Sequence, residues 1–104
     1  MVGISYDPEL ADVDNNGYVS AAVSVSTTQV EAKAGATNLA GREGITITNK
    51  GPNRVYYGPS GVTSANGDYL EKNQFASLPL GEYVTVYLIC ATGQSATVIV
   101  QELA

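Results

Sequence analysis

The chain has 104 residues, 44% of them hydrophobic and only 14% charged, with a formal net charge of −5. That length fits one domain able to bury a core without metals or disulfides. The basic residues Lys33, Arg42, Lys50, Arg54 and Lys72 stand singly, which excludes the clustered positive footprint of a nucleic-acid binder. No apolar run approaches the ~18 residues of a membrane span, and the first residues lack the basic and apolar regions of a signal peptide. A low charge density suits a subunit whose surface is partly covered by partners.

Residues 1–17 read as an N-terminal arm. Asp7, Glu9, Asp12 and Asp14 are interspersed with the isolated apolar residues Val2, Ile4, Tyr6 and Leu10. Pro8 and the Asn15-Asn16-Gly17 cluster discourage regular structure. From Tyr18 a single β domain is expected, running to residue 104. Val19, Ala21, Val23 and Val25 share one face of a half-buried strand, and Ser20, Ala22, Ser24 and Ser26 share the other. Residues 31–43, small and polar, read as a connection across the end of a sheet. Gly44 to Asn49 is the next strand, with Ile45 and Ile47 on one face. Lys50-Gly51-Pro52-Asn53 predicts a turn and Val55 to Gly58 an antiparallel return, together a hairpin. Val55 and Tyr57 would face one way and Tyr56 the other.

Residues 59–81 hold turn signals at Pro59-Ser60-Gly61, Asn66-Gly67 and Pro79-Leu80-Gly81. Asn-Gly is a type I′ signal because both residues tolerate positive φ. Short strand pieces are expected around Val62 and over Phe75 to Leu78. Glu82 to Ala91 alternates with both faces largely apolar, which predicts a central strand. Ala96 to Leu103 follows, with Ala96, Val98 and Val100 facing in. No stretch has a helical period. Short strands at regular spacing predict an all-β domain, a small antiparallel sandwich of jelly-roll type or a barrel.

Few residues suit chemistry. The chain has no histidine, and its one cysteine, Cys90, sits within a strand pattern as a small buried hydrophobe. A nucleophilic thiol needs an activating base, and no histidine can supply one. Asp12, Asp14 and Asn16, followed by Gly17, match the first half of a calcium loop, D-x-D-x-N-G. The second half fails, because Val23 stands where a bidentate Glu belongs, so an acidic solvated turn is the simpler reading. Gly58-Pro59-Ser60-Gly61 lacks the spacing of a nucleophile elbow. No cofactor and no catalytic residue are therefore expected. Seven tyrosines and one phenylalanine remain to be placed. Some fill the core; those on the opposite face, such as Tyr56, suit a subunit interface or a sugar-stacking platform.

The order of the strand segments is distinctive. Arg42-Glu43-Gly44-Ile45-Thr46-Ile47-Thr48-Asn49 precedes Val55-Tyr56-Tyr57-Gly58-Pro59-Ser60-Gly61-Val62-Thr63, then Asn66-Gly67 and Leu70. Val86-Tyr87-Leu88-Ile89-Cys90-Ala91-Thr92-Gly93 and Ala96-Thr97-Val98-Ile99-Val100 close the chain. Over about residues 23–102 this resembles the small all-β virion proteins of tailed bacteriophages and prophages, some of which act as capsid decoration, or cement, proteins. The resemblance implies a virion structural protein on the capsid exterior, made in the bacterial host cytoplasm. Its partner would be the major capsid protein, and a homotrimer or other homo-oligomer would suit a capsid lattice, with no nucleic acid and no membrane. The arm lies outside the resemblance; its isolated apolar residues Val2, Ile4, Tyr6 and Leu10, together with Tyr56, are the expected capsid or subunit interface residues. A carbohydrate-binding adhesion module on the virion and a neck or tail component are the alternatives.

Overall fold

A computed structural model describes residues 17–104, and these contain strands and no helix. The strands are β1 (Tyr18–Val25), β2 (Val30–Glu31), β3 (Gly44–Pro52), β4 (Val55–Gly58), β5 (Asp68–Leu70), β6 (Phe75–Leu78), β7 (Tyr87–Ile89) and β8 (Ala96–Leu103). They form two antiparallel sheets, ordered β1-β8-β3-β6 and β2-β7-β4-β5. First pairs with last, second with seventh, third with sixth and fourth with fifth. That nested pairing is a jelly roll, two four-stranded sheets wrapped around one core. It decides between the two architectures the strand pattern left open, in favour of the sandwich.

The alternation read from sequence sets the packing. Val25, Ile45, Ile47, Ala96, Val98 and Val100 from the first sheet meet Val55, Leu70, Val86, Leu88 and Cys90 from the second, with Ala32 at the margin. Each strand places every second residue inward, so a slip of one residue would expose the whole set. Truncating a fully buried member such as Ile47 to Ala would cost about 2–5 kcal/mol.

Two polar clamps close the ends of the sandwich. At one end Glu102 of β8 points inward and meets Arg42, with Arg42 Nη1 donating to Oε2 at 2.6 Å and both side chains wholly buried. The carboxylate also accepts from Ala34 N (2.9 Å) and Leu39 N (3.2 Å), so the connection 32–43 folds around it. Arg42 donates onward to the carbonyls of Leu80, Gly81 and Val84. At the other end Asn49 Oδ1 accepts from Gly51 N (2.7 Å), and Nδ2 donates to Asn53 O and Leu70 O (2.9 Å each). A buried polar group so satisfied costs little, and an unsatisfied one costs much.

These clamps explain where the structure departs from the sequence reading. The expected hairpin over 44–58 is absent, because β3 pairs with β6 and β8 while β4 lies in the other sheet. Residues 50–53 form a corner between sheets, fixed by Asn49 and by Gly51 at φ +85°. A β-carbon at Gly51 would lie 2.8 Å from the Lys72 side chain. β3 runs on to Pro52 because a register shift between Asn49 and Pro52 accommodates the proline. The expected strand Glu82 to Ala91 narrows to Tyr87–Ile89, since Arg42 takes the carbonyls of the residues before it. It is central as expected, flanked by β2 and β4. Val62 is buried in a loop, not a strand, and Asp68–Leu70 pairs instead. Asn66-Gly67 is no type I′ turn, as neither residue has positive φ. Gly67 is required there by close approach, with Val62 Cγ2 2.7 Å from where a β-carbon would stand.

Candidate interaction surfaces

The outer faces of the two sheets differ in chemistry. On the first sheet the outward rows run Ala22, Ile99, Thr48, Phe75 and Ser20, Gln101, Thr46, Ser77, ending at Tyr18, Leu103 and Gly44. None of these residues is charged, and the next outward position of β3 is the exposed Lys50. Phe75, Tyr18 and Leu103 are exposed at 66%, 57% and 56%. Thr46 Oγ1 and Ser77 Oγ are hydrogen-bonded at 2.9 Å, and Gln101 Nε2 donates to the Tyr18 hydroxyl at 2.5 Å. At the Tyr18 end lies a groove of about 420 Å³ between Tyr18, Leu103, Glu43, Gly44, Ser77 and Pro79, with Glu43 its one charged residue. Gly44 makes the dent, being the row's only residue without a side chain.

The second sheet carries its charges outside. Tyr56 on β4 lies opposite Tyr69 on β5 and Ile89 on β7. The tyrosine rings meet edge to face at 6.1 Å, and the Arg54 guanidinium lies over the Tyr69 ring at 4.1 Å. Glu71 Oε2 accepts from Arg54 Nε at 3.1 Å and from Nη2 at 2.5 Å. That bonding holds the Glu71 carboxyl below its ordinary range and keeps Arg54 firmly charged. Lys33 and Glu31 pair at 3.4 Å beside β2. Tyr57 faces the core, and its hydroxyl donates to Asp68 Oδ2 at 3.3 Å. Burial, with Asp68 nearby, pushes its pKa up.

Of the residues singled out from sequence, Tyr56 is half-buried on this outer face, beside Tyr69 and Arg54. Val2, Ile4, Tyr6 and Leu10, and the calcium-loop residues Asp12, Asp14 and Asn16, lie outside the described residues. Cys90 is buried, with its thiol against Val25 O and its pKa pushed up by burial, the reverse of what a nucleophile needs. Sequence reasoning missed Phe75, Tyr18 and the groove. A signal was present: strict alternation puts Phe75 on the same side as Ser77, the side opposite Ala76 and Leu78. No protein-family model and no curated protein matches this chain.

Proposed function

We propose that this chain is a virion structural protein, a decoration protein on the exterior of a tailed-phage head that holds neighbouring capsid subunits together. The observation that carries the reading is the distribution of its side chains. The buried polar groups Arg42, Glu102 and Asn49 are all engaged in fixing the fold, while aromatic side chains lie on two broad outward faces. Such a body is suited to contact rather than to turnover. The jelly roll is also a fold of viral capsid domains, a likeness of architecture and not of function. Each contact of a small domain is weak, but many copies on a symmetric lattice bind with the gain of multivalency. The tyrosine face around Tyr56 would meet the capsid, and residues 1–17 would lie across a neighbouring subunit through Val2, Ile4, Tyr6 and Leu10.

Quantitative mass spectrometry of purified particles tests this. Copy numbers in the hundreds, comparable with the major capsid protein, are expected. A few to a few dozen would move the chain to the neck or tail, and absence would overturn the virion reading. The Arg54, Tyr56 and Tyr69 cluster also favours a second reading, a sugar-stacking platform, since jelly rolls serve as lectin domains too. Binding to a glycan array at high valency, lost in Tyr69→Ala, would establish it.

A further inference from the structure

We propose that the outer face of the first sheet pairs with the same face of a second copy of this chain, in a twofold dimer. The inference stands independently of the virion reading.

The face carries its own knob and its own hole. Phe75, 66% exposed, projects from β6 in the row of Ala22, Ile99 and Thr48. The groove opens on the same face, beginning at the next row with Thr46 and Ser77 and continuing past Gly44 to Glu43. Its 420 Å³ is roomy enough for a phenyl ring. A twofold axis in the plane of contact, midway between knob and hole, places each Phe75 in the other copy's groove. Two-fold interfaces have this reciprocity, residue i meeting j and j meeting i. Because the line from Phe75 to the groove runs largely along β6, the two sheets would stack with strands nearly aligned, the ordinary packing of facing sheets.

Charge and area agree with this occupant. Glu102, the one charge on β8, faces in. The charges left on the face stand at its two ends, Lys50 two residues beyond Thr48 on β3 and Glu43 lining the groove, and the twofold brings the Lys50 end of one copy to the Glu43 end of the other. Four strands about 4.8 Å apart, with residues rising about 3.3 Å each, give a footprint of roughly 400–500 Å². The relief of Phe75, Tyr18 and Leu103, each more than half exposed, raises the accessible area above this planar footprint, toward the ~800 Å² per partner of a stable interface.

Sedimentation equilibrium of the full chain tests the proposal, with circular dichroism confirming that each variant is folded. The native chain is expected to dimerise. Phe75→Glu removes the knob and Ser77→Arg blocks the hole, and each should weaken association about thirtyfold or more, as loss of a central anchor does. Tyr69→Ala, on the other sheet, should leave it unchanged. A native chain that stays monomeric would overturn the proposal. So would an odd-numbered assembly, or association indifferent to Phe75→Glu and Ser77→Arg. A monomer that dimerises only when residues 2–16 are deleted would equally overturn it, identifying that segment as the occupant.

Discussion

The two sheets dispose of charge in opposite ways. The second sheet holds Arg54, Glu71 and Glu31 at its solvent side, where Arg54 and Glu71 pair in water. The first sheet turns Glu102 inward to a buried arginine and keeps its outer rows neutral between Lys50 at one end and Glu43 at the other. The same kind of ion pair therefore does two different things. Outside it arranges a surface, flattening Arg54 onto Tyr69. Inside it decides how three segments meet, since Glu102 and Arg42 together gather the connection 32–43 and residues 80–84 onto β8.

Breaking the inner pair should have the largest effect. Glu102→Ala leaves the Arg42 guanidinium buried without its counter-charge and should cost about 3–5 kcal/mol of stability by urea unfolding. A loss below about 1 kcal/mol would mean that the end of the sandwich relaxes to admit water. Asn49→Ala, which strips three hydrogen bonds from the opposite corner, should cost on the order of 1–3 kcal/mol. Unchanged stability there would show that the corner does not depend on the Asn49 side chain.

The third effect is a slope with pH. Tyr57 has a raised pKa in the folded chain because it is buried beside Asp68. Its contribution is complete below the ordinary tyrosine value of about 10 and is lost as pH rises through the folded value, because the unfolded chain ionises first. The urea midpoint should fall across this alkaline window, and Tyr57→Phe should flatten the fall. The outer pair should matter least. Glu71 is held low by Arg54, so its contribution is present above the ordinary carboxylate range and fades as pH falls through the lowered value. Arg54→Gln should return the Glu71 titration, followed by NMR, to the ordinary range with no measurable change in urea midpoint. A substantial drop would show that the surface pair is structural after all.

Much of the fold was legible because period-two alternation is a direct record of a strand with one dry face. The inward rows of β1, β3 and β8 follow it residue by residue. What could not be read was the assignment of strands to sheets. Lys50-Gly51-Pro52-Asn53 has the composition of a hairpin turn and of a corner alike, and only the reach of Asn49 to Leu70 O, across to the other sheet, separates them. Tyr83 and Val84 continue the alternation of β7 yet stand outside it, Tyr83 91% exposed, because the chain turns there, with Val84 N donating to Gly81 O at 3.2 Å. Glu102 was half legible. Its place in the Ala96, Val98, Val100 row predicts that it faces in, but its partner Arg42 lies 60 residues away with no local pattern to announce it. The contact faces were the least legible, since an outward Phe in a strand reads the same whether it is covered or bare.

Hydroxyl-radical footprinting compares the two faces most directly. Side-chain oxidation would be followed in the free chain over a concentration series and on purified particles. The account predicts that Phe75 and Tyr18 become protected in the free chain as its concentration rises, whereas Tyr56 and Tyr69 become protected only on particles. Phe75 equally oxidisable at every concentration, with Tyr56 and Tyr69 unaltered on particles, would contradict it.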